Sequence, residues 1–279
     1  MNASADSTGG ADYAFVCELL RREIGYDLGP DRQYLVSNRL APIAAAFDFA
    51  CVGELIAKLR TTSDRRLRES VVEAMTINET SFFRGGPRLF DTLVHVIIPA
   101  LCQTRASQRR LRIWCGACST GQEPYSILMA LAEQCPQLHD WRVEIVATDV
   151  SERALEQARR GEYNQFEAQR GLPIQTLLKH FTKTGERWRV GTPLRDRIEF
   201  RRHNLLDSFL FLAPPFDVVF LRNVLIYFDA AAKSELFARL RRAIAPDGYL
   251  VLGETESVVG LTDQFSIPDD YRDYFRPAP

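Results

Sequence analysis

The sequence predicts a two-part fold, in which a small all-helical segment precedes an α/β domain built on a doubly wound, mainly parallel sheet. Up to about residue 76, apolar residues recur at helical spacing and no strand pattern appears among them. Beyond that point, short apolar runs typical of buried strands alternate with amphipathic helical segments. The length of 279 residues allows two domains, and 46% hydrophobic with 25% charged residues is typical of a globular protein.

Charge and hydropathy argue against several classes of partner. The formal net charge of −1 gives no basic signal for nucleic acid, and no apolar run approaches the roughly 20 residues that cross a bilayer. Residues 1–12 are small and polar and lack the pattern of a signal peptide, so we expect a disordered leader. We also expect reduced cysteines and a cytoplasmic location, because a chain of this size needs no disulfides.

The helical segment, residues 13–76, carries its apolar residues in stripes that predict four helices. The stripes cover residues 15–24, 34–43, 52–59 and 67–75. Arg32 comes just before the second stripe and Arg39 lies between its apolar positions, and further arginines begin the fourth. Such a basic face is attractive to an acidic partner, although a solvated helix surface is the better interpretation of any single arginine.

Residues 111–149 form one compact unit that predicts a nucleotide-type cofactor. A short strand is followed by the small-residue loop 115–121, an amphipathic helix over 123–135 and a second strand ending at Asp149. Small residues let the backbone approach a ligand, and an acid at the end of the second strand can accept hydrogen bonds from ribose hydroxyls. Asp149 could instead cap the next helix, but the role of ribose ligand is favoured.

The kind of cofactor depends on the details of the loop. It lacks the lysine of a phosphate-binding loop and holds only Gly116 and Gly121 of a dinucleotide pattern. Glu123 would repel a pyrophosphate but suits a cofactor with a sulfonium and an ammonium, such as S-adenosylmethionine. An ordinary alternative is that Glu123 complements the helix dipole, and spacing alone leaves the two interpretations even.

Cys115 and Cys118 have the spacing of a redox pair or of half a zinc site. There is no second such pair and the four histidines are scattered, so small residues in a tight loop are favoured and no metal is expected.

Two further segments carry polar groups near the predicted cofactor. Residues 78–84 combine amide, hydroxyl, aromatic and arginine side chains, and the alternative interpretation is a capped linker with core aromatics. Residues 221–228 follow the buried strand 216–220, so Arg222 and Asn223 lie where open α/β sheets bind ligands. Tyr227 can equally be a core aromatic. Between them, residues 181–183 and 187–190 are predicted to pair as a hairpin around Thr184, Gly185 and Glu186.

Taken in order, these segments resemble the chemotaxis receptor methyltransferases, the CheR family, from about Tyr13 to about Phe275. The resemblance rests on segments 78–84, 117–126, 147–149, 204–206 and 222–228. A single one of these motifs is weak, whereas all of them in this order are specific.

The resemblance implies a Rossmann-like S-adenosylmethionine methyltransferase domain, residues 77–279, with a small inserted antiparallel β-subdomain at about 161–203. It also implies an activity, the transfer of methyl groups from S-adenosylmethionine to glutamate side chains on cytoplasmic helices of chemoreceptors. By the same resemblance the cofactor site is formed by Asn78, Thr80, Arg84, Glu123, Asp149, Asn204, Leu205, Arg222 and Asn223. Arg84, Arg222 and Tyr227 are the expected catalytic positions, and Arg32 and Arg39 the expected docking surface.

The sequence departs from the family pattern at two places, one in the cofactor site and one in the hairpin. Gln122 stands where many members carry a second glutamate, which leaves Glu123 as the remaining acid. Members that tether to a receptor's C-terminal pentapeptide carry an insertion in the hairpin, and the turn around Gly185 is too short for it. We therefore expect a monomer that works without pentapeptide tethering. Competing functions are a methyltransferase for a small molecule or RNA, one serving a chemosensory pathway that does not control motility, and a cofactor-binding scaffold.

Overall fold

A computed structural model describes residues 9–268 and 274–278 of the chain. Its contacts divide into two compact units. The first runs through Ile77 and takes in Tyr227–Ala232, and the second contains Asn78–Ile226 and the chain from Lys233 onwards. The predicted boundary after residue 76 thus lies one residue from the observed one, whereas the return of the chain to the first unit at Tyr227 was not anticipated.

The first unit is helical and is built as its apolar stripes predict. Its helices are α1 (Gly10–Ile24), α2 (Gln33–Ala46), α3 (Val52–Thr61) and α4 (Arg65–Met75). Leu20, Leu40 and Leu55 are fully buried where the stripes of three helices meet. Gly25 ends α1 in the left-handed conformation that favours glycine, with φ of 72°.

The start of α1 corrects the expected leader. Residues 10–12 are helical rather than disordered, because the Gly9 carbonyl accepts the N–H groups of Asp12 and Tyr13. Asp12 in the first turn also complements the helix dipole and pairs with Arg60 at 2.9 Å. Residues 1–8 of the expected leader lie outside the described residues.

The second unit alternates strands and helices. Its strands are β1 (Arg110–Gly116), β2 (Arg142–Asp149), β3 (Glu162–Asn164), β4 (Phe181–Thr184), β5 (Arg187–Val190), β6 (Ile198–Arg202), β7 (Phe216–Leu221), β8 (Ile244–Leu252), β9 (Phe265–Ser266) and β10 (Tyr274–Pro277). Its helices are α5 (Gly86–Thr92), α6 (Ile98–Thr104), α7 (Gln122–Gln134), α8 (Glu152–Arg160), α9 (Gln165–Gln169), α10 (Ile174–His180), α11 (Thr192–Arg195) and α12 (Ala230–Ala243). Within the described ranges, no helix is long and apolar enough to cross a membrane.

The large sheet has the order β6-β2-β1-β7-β8-β10-β9. Its first five strands pair in parallel, and β10 is antiparallel to both of its neighbours, β8 and β9. The chain moves from β1 to β2 on one side and later returns to place β7 on the other side of β1. Such a reversal opens a crevice at the carboxyl ends of β1 and β7, which is where open α/β sheets bind ligands.

The small subdomain is a separate three-stranded antiparallel sheet of order β3-β5-β4. Thr184 pairs with Arg187, so the predicted hairpin forms with only Gly185 and Glu186 in its turn. The subdomain ends before residue 198, earlier than the predicted end at about residue 203. Strand β6 belongs to the large sheet, because it pairs in parallel with β2 along Ile145 to Asp149.

A charged cluster connects the strands β1, β7 and β8 to the segment that follows α6. Arg105, just after α6, donates from Nε to Asp217 at 2.8 Å and from Nη2 to Asp247 at 2.6 Å. The second oxygen of Asp217 accepts the backbone N–H of Arg112 in β1 at 2.7 Å. Because Asp217 is buried, it depends on these donors for the hydrogen bonds that water would otherwise supply.

We expect Arg105→Ala to destabilise the second unit by about 2 kcal/mol, since it leaves a buried carboxylate without its charged partner. Hydrogen bonding to Arg105 holds the pKa of Asp247 below its usual value. That contribution is therefore present above the unfolded pKa of about 3.9 and is lost as the pH falls through the folded value. Urea unfolding of both proteins at several pH values should give a difference that shrinks on acidification.

The matched control is Arg142→Ala, which removes an exposed partner of Glu144 and should change the unfolding free energy by less than about 0.5 kcal/mol. Equal unfolding free energies for Arg105→Ala and the unaltered protein would contradict the assigned role.

Candidate functional site

The small-residue loop after β1 is shaped by close backbone approaches. Ala117 and Ser119 adopt left-handed conformations with φ of 54° and 51°, and Gly121 has φ of 91°. A Cβ on Gly121 would lie 2.8 Å from Cβ of Ala158 in α8, so only glycine fits there. A Cβ on Gly116 would lie 2.9 Å from Cδ1 of Leu221 at the end of β7. Together these approaches hold the loop's backbone close to α8 and to the end of β7.

Asp149 ends β2 with a buried carboxylate that organises this loop. Oδ2 accepts the backbone N–H of Ser119 at 2.8 Å, and Oδ1 accepts that of Ser151 at 2.9 Å. The second bond supports the start of α8, so the alternative role considered for Asp149 is present in the structure. A carboxylate can accept hydrogen bonds from several donors, which is also the chemistry that a ribose hydroxyl requires of its partner.

Glu123 and Arg222 form a buried ion pair. Nη1 of Arg222 donates to Oε2 of Glu123 at 2.7 Å, and the two side chains are only 2% and 13% exposed. Burial raises the pKa of Glu123, and the neighbouring charge of Arg222 opposes that rise. The Nε atom of Arg222 is buried with no hydrogen-bond partner among the described residues. A buried pair with an unused donor is costly to stability, which makes it a candidate for a ligand-binding role.

The linker segment, residues 78–85, contacts the small-residue loop and lies against Arg222. The carbonyl of Asn78 accepts a hydrogen bond from Ser119 Oγ at 2.8 Å. Arg84 donates from Nη1 to the Glu79 carbonyl at 3.1 Å, and its charge lowers the pKa of Glu123. A Cβ on Gly85 would lie 2.5 Å from Nη2 of Arg222, so the linker backbone lies directly against that guanidinium.

Thr80 lines a pocket of about 290 Å³ in the second unit. The pocket is lined by Asn78, Glu79, Thr80, Thr120, Gln122, Arg153, Ala154, Gln157, Glu167 and Arg170. Five of these belong to or adjoin the linker and the loop, so the pocket continues the candidate site: Asn78, Glu79, Thr80, Thr120 and Gln122. Glu79 and Arg170 form an ion pair of 2.6 Å in its lining.

Asn204 and Leu205 lie beside the end of β2. The N–H of His203 donates to the Asp149 carbonyl at 3.0 Å, which anchors the segment. Leu205 is buried, and its Cδ2 would be 3.5 Å from a Cβ on Gly116. Asn204 accepts the N–H of Leu206 at 3.0 Å through its side chain. The structure thus brings the predicted cofactor residues of the second unit to one edge of the sheet.

Tyr227 belongs to the first unit. Its ring packs edge-on against Tyr26, with ring centroids 5.1 Å apart, and its carbonyl accepts the N–H of Asp27. The structure therefore supports the core-aromatic alternative for the ring, and a catalytic role of Tyr227 stays a prediction.

The two predicted docking arginines of the first unit differ in their surroundings. Arg32 is exposed, whereas Arg39 donates to the carbonyls of Met75 and Thr76 at the end of α4.

Cys115 and Cys118 are buried free thiols. Burial raises the pKa of both well above the usual value, so they are protonated at neutral pH and are poor nucleophiles and metal ligands. The structure favours the interpretation of this pair as small residues in a tight loop.

Sequence reasoning missed three side chains that hold the site together. Ser126 of α7 accepts the N–H of Phe83 at 2.9 Å, and Tyr163 of β3 donates to the carbonyl of Thr120 at 2.7 Å. Glu256, which follows β8, accepts three backbone N–H groups. A signal for Glu256 was available, since it is an acid shortly after a strand that ends at the ligand-binding edge of the sheet.

Comparison with known protein families identifies the chain. The family model described as CheR methyltransferase, SAM binding domain, matches residues 78–271, and the model described as CheR methyltransferase, all-alpha domain, matches residues 11–76. The chain belongs to the CheR methyltransferase family. The two matches meet at the boundary between the two structural units.

Similarity to individual members extends over nearly the whole chain. The chain is 41% identical over 265 residues to chemotaxis protein methyltransferase Cher2 of Pseudomonas putida, covering 94% of this chain and 95% of that protein. Chemotaxis protein methyltransferase 1 of Pseudomonas aeruginosa gives the same identity and coverage. Chemotaxis protein methyltransferase 1 of Vibrio cholerae is 36% identical, with 92% of each chain covered.

These matches confirm the predicted family, fold class, enzymatic nature and cofactor. The chain is an S-adenosylmethionine-dependent methyltransferase of chemotaxis. The residues present fit that cofactor. Glu123 offers a carboxylate for an ammonium group, Asp149 places a buried carboxylate at the end of β2, and Arg222 Nε is a buried donor without a partner among the described residues. The assignment of each residue to a part of the cofactor stays a prediction.

We expect Glu123→Gln to raise the Kd for S-adenosylhomocysteine by at least about tenfold at pH 7, since it removes a buried charge and leaves Arg222 unpaired. In the unaltered protein, affinity should fall with decreasing pH as Glu123 becomes protonated. That loss should begin at a higher pH than an ordinary glutamate would give, because burial raises the pKa of Glu123. The variant should lack this step in a calorimetric titration series.

Glu133→Gln, near the end of the same helix, is the matched control and should retain both the affinity and its pH dependence. An acidic step that persists unchanged in Glu123→Gln would show that another group controls cofactor binding.

Proposed function

We propose that this protein transfers the methyl group of S-adenosylmethionine to glutamate side chains of chemoreceptors, giving glutamyl methyl esters. The single observation that carries the proposal is that the likeness to chemotaxis protein methyltransferases runs through both units, at 41% identity over 94% of the chain. A likeness confined to the cofactor domain would fit any methyltransferase. Because the helical unit is shared as well, it supports a common protein substrate rather than a small molecule or RNA.

The chemistry requires positioning more than proton transfer. When bound, S-adenosylmethionine supplies an electrophilic methyl group on a sulfonium sulfur. A glutamate carboxylate, with a reference pKa of about 4.3, is already ionised at neutral pH and needs no general base. As its oxygen forms a bond to the methyl carbon, the bond from that carbon to sulfur breaks, and one negative and one positive charge disappear together. The protein's contribution is to hold the reacting atoms in line.

Arg222 and Arg84 are the proposed positioning groups. Arg222 is paired with Glu123, so its charge is partly neutralised and it does not over-stabilise an attacking carboxylate. Arg84 uses one donor on the Glu79 carbonyl and has further donors for a carboxylate. Tyr227 stays in the proposal as a substrate-side group, although its ring packs on Tyr26.

The receptor would be recognised without a tether. The hairpin of the small subdomain turns through Gly185 and Glu186 alone, which supports the absence of the pentapeptide-binding insertion. We propose that the exposed Arg32 attracts the acidic methylation helices of receptors, with Arg39 contributing mainly to the end of α4. Such a protein would act in the cytoplasm as a monomer.

The proposed reaction has a direct test. Incubation with tritiated S-adenosylmethionine and membranes bearing chemoreceptors should label the receptors, and mild alkali should release the label as methanol. Alkali-stable label would mean N-methylation and would exclude a carboxyl ester. Binding of cofactor with no labelling of any receptor would favour the scaffold alternative.

Arg84→Ala should lower the rate of receptor methylation on the order of tenfold to a hundredfold, because in-line positioning is lost. The measurement is initial rate against cofactor and receptor concentration, with S-adenosylhomocysteine affinity determined separately. Arg88→Ala, an exposed arginine four residues on, is the control and should behave as the unaltered protein. Unchanged methylation and unchanged cofactor affinity in Arg84→Ala would remove Arg84 from the site.

Arg32→Glu should lower kcat/KM for the receptor roughly fivefold at low ionic strength, and the difference should vanish in concentrated salt, where surface charges are screened. Lys58→Glu makes the same charge change at an exposed position of α3 and should have no such effect. A loss that is equal at all salt concentrations, or equal in the two variants, would argue against docking at Arg32. Affinity for the cofactor should be unchanged in both.

A further inference from the structure

Glu256 occupies an unusual position for an acidic side chain. It is only 8% exposed and follows β8 at the carboxyl edge of the sheet. Its carboxylate accepts three backbone N–H groups, each at 2.7 Å: that of Asn223 and that of Gly253 on Oε2, and that of Leu225 on Oε1. Two of these donors lie in the segment after β7 and one in the turn after β8, so a single side chain joins two strand ends.

Backbone and side-chain atoms of Asn223 and Gly253 lie close to this carboxylate. Asn223 has a φ of 58°, in the left-handed region that asparagine adopts more readily than most residues other than glycine. A Cβ on Gly253 would lie 2.7 Å from Oε2 of Glu256 and 2.8 Å from Nδ2 of Asn223. A side chain at position 253 would have to displace the Glu256 carboxylate or the Asn223 amide, so glycine lets both groups approach the backbone there.

The residue that this arrangement orients is Arg222. It directly precedes Asn223, and its guanidinium is buried against Glu123. Glu256 also contributes to the raised pKa of Glu123 through its negative charge, which means that the carboxylates lie close enough to interact. A change in the backbone at Asn223 would therefore turn Arg222 away from Glu123.

We propose that Glu256 is a positioning residue of the cofactor site. It fixes the backbone at Asn223 and Leu225 and so keeps the Arg222 guanidinium within hydrogen-bonding distance of Glu123. The proposal rests on the proposed assignment of Arg222 and Asn223 to the cofactor. It does not depend on which substrate is methylated. It also explains why an acid is needed here. A glutamine has one acceptor oxygen, and its NH2 group would face a backbone donor in either orientation.

The test compares Glu256→Gln, Glu256→Asp and the control Glu254→Gln, an exposed acid two residues earlier. Calorimetric titration with S-adenosylhomocysteine gives both Kd and the fraction of protein that binds. We expect Glu256→Gln to raise Kd about tenfold, or about 1.4 kcal/mol, with one ligand still bound per chain. Glu256→Asp keeps the charge and should recover part of this loss, and Glu254→Gln should bind as the unaltered protein.

Turnover gives a second readout. In Glu256→Gln the KM for S-adenosylmethionine should rise, while the KM for the receptor stays unchanged. A residue that served only the stability of the domain would instead lower the fraction of protein that binds and leave Kd and both KM values alone. That result would overturn the proposal, as would an unchanged Kd or the failure of both Glu256 variants to fold. Because binding is measured without receptor, failure of receptor methylation in the unaltered protein would reject the proposed substrate and leave this test standing.

Discussion

Backbone N–H groups at the carboxyl ends of parallel strands need acceptors, and buried carboxylates supply them here. A buried N–H without a partner costs free energy comparable to a lost hydrogen bond. Asp149 accepts from the loop after β1 and from the residue that precedes α8, and Glu256 accepts from the segments after β7 and β8. The edge proposed to hold the cofactor is therefore shaped by two acids that accept hydrogen bonds from the backbone around them.

This arrangement concentrates negative charge at the proposed cofactor site. Glu123 and Glu256 interact through their charges, and Asp149 lies at the neighbouring strand end, whereas Arg222 and Arg84 offset part of the total. Acids that are already hydrogen-bonded cost less to keep ionised in a buried place than free ones do. A ligand that carries sulfonium and ammonium groups would offset part of the negative charge that remains.

The sequence predicted the fold because the fold depends on local patterns, whereas the proposed site residues came from the resemblance to the CheR family. The strand–loop–helix–strand unit ending at Asp149, the hairpin at Gly185 and the helical unit all follow from periodicity and turn residues. The contacts of Glu256, the pairing of Arg222 with Glu123, and the grouping of Tyr227 with the helical unit depend on residues far apart in the chain. No spacing rule encodes such contacts, so they became visible only in three dimensions.

The two-residue turn at Gly185 and Glu186 has a consequence for how methylation responds to the cell. A tethered enzyme works at an effective concentration set by the length of the receptor's tail, commonly millimolar for a short flexible linker. With no room for a tail in this hairpin, as proposed, each methylation begins from a bimolecular encounter. The speed of sensory adaptation would then follow the abundance of the free enzyme, and a change in its expression would retune every receptor type at once.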